Sequence, residues 1–328
     1  MTVAVIGGGS WGTALASHLV RSDQDAALWV REPELARHVN DRHESPVYLP
    51  GIVLPTGLRA TCDLEEVVRG ADLALIVIPS EFCRAVYRRL SPVLAPAVTL
   101  VSATKGLETE SLLRMSEVAA QECPGRQLAV LSGPSFALEV AREQPTAVVV
   151  ASTDLALAER IQRRVSSRTF RAYSSEDVVG VELAGALKNV IAIAAGILDG
   201  LGYGHNTAAA LVTRGLAEIA RLAVAAGSRP DTLAGLAGLG DLVLTCTGAL
   251  SRNRRLGQAL GRGQTLTQAL AGSSMVVEGV RTTLAGCSLA ARTGVEMPIV
   301  QQMKAVLYDG KPPAEAVDEL MLRSLKRE

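Results

Sequence analysis

The chain has 328 residues, of which 48% are hydrophobic and 20% charged, and its 33 basic and 33 acidic side chains cancel at neutral pH. That composition excludes a disordered chain and leaves no electrostatic footprint for nucleic acid. The length predicts two domains.

The first element is a short apolar strand, Val3–Ile6, that runs directly into Gly7-x-Gly9-x-x-Gly12 and then into Thr13-Ala14-Leu15-Ala16, a good helix opening. Strand, glycine turn and helix start in that order form a seat for a dinucleotide pyrophosphate on a helix N-terminus. Gly7 is expected to make the tight turn, Gly9 to let the backbone approach the phosphates, and Gly12 to let helix and strand pack closely. Further strands are predicted at Ala26–Val30, Leu73–Ile78, Thr99–Ser102, Leu128–Leu131 and Ala147–Val150, with helices such as Pro33–Asn40, Glu81–Leu90 and Ser111–Gln121 between them. Short apolar runs without strict alternation suit strands buried on both faces, and repeated βα units make a doubly wound parallel sheet.

From about Val178 the strands stop. Helices are predicted over Val178–Leu198, Asn206–Ala226, Arg252–Leu260, Gly279–Arg292, Pro298–Leu307 and Ala314–Leu325, punctuated by Gly200–Gly204, Gly227, Gly238–Gly240 and Pro312-Pro313. The fold class is therefore α/β: a doubly wound nucleotide domain over residues 1–176, then an all-helical substrate domain over 177–328. The five cysteines are scattered, with no CxxC pair, which argues against disulfides or a metal site and for a reducing, cytoplasmic setting. The N-terminal strand leaves no room for a signal peptide. The longest unbroken apolar stretch, Val190–Leu198, is too short to span a bilayer.

Several positions carry candidate chemistry. Arg31 lies about 20 residues past the glycines, where a carboxylate would take the adenosine ribose hydroxyl of NAD; an arginine there accepts a 2′-phosphate and tilts the cofactor toward NADP or toward both. Lys105 stands at a strand end, and Ser132–Ala137 repeats that placement at the next strand, with Gly133 and Ser135 offering donors. In the apolar Val178–Leu198 helix the polar residues are Glu182, Lys188 and Asn189, and a lysine so placed needs a partner or a shifted pKa, which makes Lys188 a candidate general acid/base. Asp241 sits between glycines and an apolar run. Ser251 reads as an N-cap, with Arg252 and Asn253 in the first turn behind it, a good phosphate grip. Arg254 and Arg255 read as a solvated basic face, and His205 as a loop or cap residue.

In these residues the chain resembles the bacterial NAD(P)-dependent glycerol-3-phosphate dehydrogenases. The likeness runs from Val5 to about Tyr308 through GGGSWGTALA, SATKGLE, SGPSFA, ALKNVIAIAAG, LVTRGLAE, AGLGDLVLTCT, SRNRRLG, VVEGVRT and EMPI. It implies a Rossmann domain plus a helical domain, a homodimer, and interconversion of sn-glycerol 3-phosphate and dihydroxyacetone phosphate with NADP or NAD. It implies that Ser10, Trp11 and Arg31 touch the cofactor and that Ala137, Val276 and Glu278 close over it. Lys105 is implied to meet both cofactor and substrate. Gly133, Ser135, Asp241, Thr245, Ser251, Arg252 and Asn253 form the implied substrate site, with Arg252 also near the cofactor. Lys188 is the implied proton acceptor; beside that, Asp241 is expected to orient Lys188 and balance its charge, and Lys105 to add a second cation on the developing alkoxide. The implied role is supply of glycerol 3-phosphate for phospholipid synthesis. Two other readings of the residues stand beside it: a dehydrogenase of the 6-phosphogluconate or 3-hydroxyisobutyrate kind, and a non-catalytic NAD(P)-binding sensor.

Overall fold

The computed structural model describes residues 2–271 and 275–325. Its internal contacts divide the chain into two units, Met1–Lys105 with Leu113–Glu182, and Gly106–Leu112 with Leu183–Glu328.

The strands of the first unit are β1 (Thr2–Ile6), β2 (Asp25–Trp29), β3 (Glu44–Ser45), β4 (Leu49–Val53), β5 (Arg59–Thr61), β6 (Ala71–Ile76), β7 (Thr99–Ser102), β8 (Leu128–Ser132), β9 (Thr146–Ala151) and β10 (Phe170–Ser175). Eight of them form one sheet in the order β10-β9-β8-β7-β6-β1-β2-β5, and β3 and β4 pair apart from it. Alternate side chains of the central strands enter two different cores. Val3, Val5, Leu73 and Leu75 pack with Leu15, Leu19 and Ile161 of the Ser10–Arg21 and Leu155–Val165 helices. Ala4, Ile6, Ala74 and Ile76 pack with Val86, Tyr87 and Val118 of the Ser80–Leu90 and Met115–Glu122 helices. Two buried faces explain why these strands read as continuous apolar runs.

All six expected strands are present, and two members of the sheet carried no apolar run. β10 alternates buried Phe170 and Ala172 with exposed Arg171 and Tyr173, as an edge strand does, and β5 has only three residues. The sheet also departs from all-parallel. β9 runs antiparallel to β8, and β10 follows β9 in parallel. The helix between β8 and β9, Ala137–Ala141, has five residues, about 8 Å of rise, too little to return the chain along the sheet for a parallel crossover. The helix expected from Ser111 begins only at Met115, because Leu112 is left-handed (φ 61°).

Strand register aligns the ends of the central strands. Ile6 pairs level with Trp29 and with Ile76, and Ile76 with Ser102. The segments after β1, β2, β6 and β7 therefore all leave one edge of the sheet, the carboxyl edge, where open α/β sheets bind ligands.

Among its described residues, the regular elements of the second unit are helices, joined by loops. Val178–Gly200 begins in the first unit and continues as its longest helix; His205–Ala225, Asp241–Thr247, Arg252–Gly261, Glu278–Thr293, Pro298–Tyr308 and Pro313–Met321 are further members. Val190–Leu198, too short by itself to span a bilayer, proves to be part of a longer apolar element. The whole Val178–Gly200 helix is long and apolar enough to cross a membrane by length and composition, but 89% of its most apolar window is buried in the protein. A helix apolar all round and surrounded by protein is a core helix.

Candidate functional site

In the first unit the glycine turn follows β1 directly. Gly7 has φ 130°, which a side chain rarely adopts, and a Cβ there would overlap the Val77 carbonyl of the neighbouring strand end. A Cβ on Gly12 would overlap the Gly7 carbonyl, so Gly12 guards the turn itself more than the helix–strand contact expected for it. Gly9 differs from both. Its backbone is ordinary (φ −69°, ψ 176°), and a Cβ on it would meet nothing within 4 Å. Neither conformation nor internal packing demands glycine at this position. It sits at the N-cap of Ser10–Arg21, a helix with no side-chain cap, which suits the pyrophosphate of a dinucleotide approaching from outside the chain.

The neighbours complete that seat. Ser10 Oγ donates to the Tyr48 carbonyl at 2.7 Å, tying the helix start to the segment between β3 and β4. The Trp11 indole N–H is buried without a hydrogen-bond partner. Arg31, 75% exposed, stands just past β2, and its Nε and Nη2 donate to Glu32 Oε1 at 2.9 and 2.6 Å. Tyr48 lies close enough to Arg31 and Glu32 to feel their charges; burial, and then the Glu32 carboxylate, push its phenol pKa upward. Sequence reasoning missed Tyr48, since a lone tyrosine in a short hairpin carries no pattern. Two strands along, Lys105 Nζ donates to the Gly133 carbonyl at 2.7 Å and to Ser135 Oγ at 3.2 Å, while Ser135 Oγ donates to the same carbonyl at 2.8 Å. Lys105, Gly133 and Ser135, singled out separately in the sequence, thus form one cluster. Ala137 opens the helix that follows it.

In the second unit Lys188 and Asp241 are both buried, with side chains 7% and 1% exposed. Lys188 Nζ donates to Asp241 Oδ1 and, at 2.9 Å, to Thr245 Oγ1, and Thr245 Oγ1 donates to the Asp241 carbonyl at 2.6 Å. A buried ion pair is costly unless its geometry and hydrogen bonds compensate, and the threonine supplies one such bond. Cys246 sits beside this pair; burial pushes its thiol up to about 12, so it stays protonated and unreactive.

Ser251 caps the Arg252–Gly261 helix as expected, its Oγ accepting from the Arg254 N–H at 3.2 Å. Arg252 Nη1 donates to the Val276 carbonyl at 3.1 Å. Desolvation lowers the pKa of its guanidinium and the Glu278 carboxylate opposes that, which places Arg252, Val276 and Glu278 in one neighbourhood. Asn253 is more committed than a substrate ligand need be. Its Nδ2 donates to Asn189 Oδ1 at 2.9 Å, and its Oδ1 accepts from the Gly279 N–H at 3.0 Å. One amide N–H and the backbone N–H are what it has left for a ligand. Asn189 itself went unassigned, although its place beside Lys188 in an apolar helix was the signal. Arg254 corrects the expected solvated basic face: it is 20% exposed and paired with Asp199 at 2.7 Å. His205 is an exposed first residue of its helix, where Gly204 is the N-cap and no side chain caps the helix start, so the expected cap role is not seen.

Comparison with known proteins bears on both units. The family profile of the NAD-dependent glycerol-3-phosphate dehydrogenase N-terminus matches residues 2–158, and that of the C-terminus matches residues 177–318. The glycerol-3-phosphate dehydrogenase [NAD(P)+] of Geobacter sp. (strain M21) is 53% identical over 99% of this chain and 98% of its own length. The protein of the same name from Nitratidesulfovibrio vulgaris (strain Hildenborough) is 53% identical over the full length of both chains. The crystal structure of glycerol-3-phosphate dehydrogenase from Coxiella burnetii superposes with a TM-score of 0.95 at 41% identity, covering 98% of this chain and 99% of that one.

Proposed function

The chain belongs to the NAD-dependent glycerol-3-phosphate dehydrogenase family, and from that premise we propose that it interconverts sn-glycerol 3-phosphate and dihydroxyacetone phosphate with Lys188 as its proton donor and acceptor. The enzyme is an NAD(P)-dependent oxidoreductase, which removes the sensor reading and the two other dehydrogenase types. The observation that carries the mechanistic part is the buried Lys188–Asp241–Thr245 cluster.

The first unit binds the cofactor. Gly9 leaves room at the start of the Ser10–Arg21 helix, whose N-terminal N–H groups and dipole favour the pyrophosphate. Arg31 is read as the partner of the ribose end, and its clasp by Glu32 is the contact a 2′-phosphate has to displace. Lys105, held by Gly133 and Ser135, is read as a contact for cofactor and substrate. When bound, the nicotinamide supplies or accepts the hydride at C2 of the substrate.

The second unit holds the substrate and manages the proton. Lys188, as the ammonium, gives a proton to the C2 oxygen during reduction and takes it back during oxidation. Asp241 and Thr245 fix the direction of Nζ, and the carboxylate keeps a buried cation tolerable. Arg252, the Ser251 hydroxyl and the N–H groups of the following first turn hold the substrate phosphate through charge-assisted hydrogen bonds. Val276 and Glu278 are read as the cofactor contacts of this unit. In this reading the enzyme works as a homodimer in the cytoplasm, in keeping with its five free cysteines, and supplies glycerol 3-phosphate for phospholipid synthesis.

The test is loss of NADPH absorbance on adding dihydroxyacetone phosphate, for wild type and for Lys188→Ala. Turnover by the wild type with wild-type kcat in the variant would remove the proton role. Turnover on an unphosphorylated hydroxy acid alone would overturn the substrate.

A further inference from the structure

Two helices of the second unit approach each other more closely than side chains normally permit. Val178–Gly200 ends in Gly196-Ile-Leu-Asp-Gly200, and Arg252–Gly261 ends in Gly257-Gln-Ala-Leu-Gly261. Each pair of glycines is one turn apart, so each clears a single strip of its helix. A Cβ on Gly196 would overlap the Arg254 carbonyl, and one on Gly257 the Ile193 carbonyl. On Gly200 it would stand 2.5 Å from the Gln258 carbonyl, and on Gly261 2.5 Å from that of Ile197. The contact is backbone against backbone at all four positions.

Polar side chains pin both ends of this crossing. Near its start, Asn189 accepts from Asn253, whose Oδ1 also takes the Gly279 N–H, so a third helix is bound in. At the far end the Asp199 carboxylate accepts from Arg254 Nη2 at 2.7 Å and from Gln258 Nε2. The proton-handling Lys188 directly precedes Asn189, and the phosphate-holding Arg252 directly precedes Asn253. The two functional residues are thus neighbours of the two ends of one hydrogen bond.

We infer that the paired glycines and Asp199 are positioning elements that fix the separation between the phosphate grip at Ser251–Asn253 and the Lys188 ammonium, and so set which length of phosphorylated ketone presents its carbonyl to Lys188. The inference rests on the substrate reading given above. A loosened crossing moves the grip relative to Nζ while leaving both groups intact. It therefore impairs only substrates held by their phosphate. Dihydroxyacetone, which has the same carbonyl and no phosphate, is its internal control, since binding energy from a remote group serves to orient the reacting centre.

The test compares kcat/KM for dihydroxyacetone phosphate and for dihydroxyacetone, with NADPH affinity read separately by fluorescence titration. Gly196→Ala should lower the first about 100-fold, the size expected of a displacement near 1 Å. Asp199→Ala leaves the backbone contact untouched and decides the matter should the glycine variant not fold. It should lower kcat/KM for the phosphorylated ketone about tenfold, as loss of a charge-assisted bond does. Dihydroxyacetone reduction and NADPH affinity should stay at wild-type values, and Asp199→Asn, which retains an acceptor oxygen, should recover most of the loss. Equal losses on both ketones, or no loss on either, overturn the inference. A wild type that reduces neither ketone overturns the dehydrogenase reading and this inference with it.

Discussion

Both units use glycine to bring backbones close, but to different ends. In the first, Gly7 and Gly12 close a turn on itself and Gly9 stands with open space before it. In the second, Gly196, Gly200, Gly257 and Gly261 are all filled by the opposing helix, and the polar side chains around them bond to one another. In the proposed reading, the open space before Gly9 is where the cofactor pyrophosphate approaches the helix start. The second uses its glycines to bring two of its own helices into backbone contact.

This contrast can be broken most decisively at Lys188. Lys188→Ala should reduce kcat by about 10²- to 10⁴-fold, the usual worth of a general acid/base, with NADPH affinity unchanged. An equal loss of nucleotide affinity would mean that the two units do not divide the work in this way. Arg252→Ala comes next. Charge-assisted hydrogen bonds contribute about 1.5–3 kcal/mol, so kcat/KM for dihydroxyacetone phosphate should fall roughly 10- to 150-fold.

A matched pair of glycine variants sharpens the comparison within the first unit. Gly12→Ala forces a methyl into the Gly7 carbonyl and should cost about 1–3 kcal/mol or more of stability, visible as a lowered Tm. Gly9→Ala should leave Tm unchanged and weaken NADPH binding about tenfold. A Tm loss for Gly9→Ala equal to that for Gly12→Ala would show that Gly9 serves the fold.

Glu218 tests the rigidity of the second unit through pH. This buried carboxylate accepts the N–H groups of Ile299 at 2.9 and 3.1 Å and of Val300 at 3.4 Å, at the start of the Pro298–Tyr308 helix. Burial pushes its pKa from 4.5 up to about 7, against the opposing pull of those N–H groups, Arg221 and Arg323. Because the folded pKa is the higher one, the contribution of this group is fully present below pH 4.5 and is lost as pH rises toward 7, on the order of 3 kcal/mol at most. Glu218→Gln stays neutral, so its Tm relative to wild type should rise from pH 5 to pH 8. A constant difference would remove the linkage. The smallest effect is expected at Arg31, an exposed residue already paired with Glu32. Arg31→Ala should raise KM for NADPH severalfold and spare NADH; equal changes for both cofactors would detach Arg31 from the 2′-phosphate.

The parts that were legible in the sequence share a cause. The six central strands show as apolar runs because both of their faces are buried, and the nucleotide turn shows because strand, glycines and helix are contiguous. Ser251 reads as a cap for the same local reason. What escaped notice depends on partners remote in sequence. β10 is an edge strand with a polar face, so no run marks it. Tyr48 gains meaning only from Ser10, Arg31 and Glu32 brought beside it. Arg254 looks like a solvated arginine until Asp199, 55 residues earlier, is placed against it.

The sequence by itself determined the α/β and helical halves, the strand–glycine–helix turn and the residue types of the proposed site, since periodicity, capping and glycine placement act over a few residues. Only the tertiary structure decided which of those residues share a site. Lys188 needs Asp241, 53 residues away, and Lys105 needs Gly133, 28 away. The two glycine pairs become one crossing only when their helices meet. Burial and charge pairing are properties of neighbours in space, and a linear pattern records neighbours along the chain.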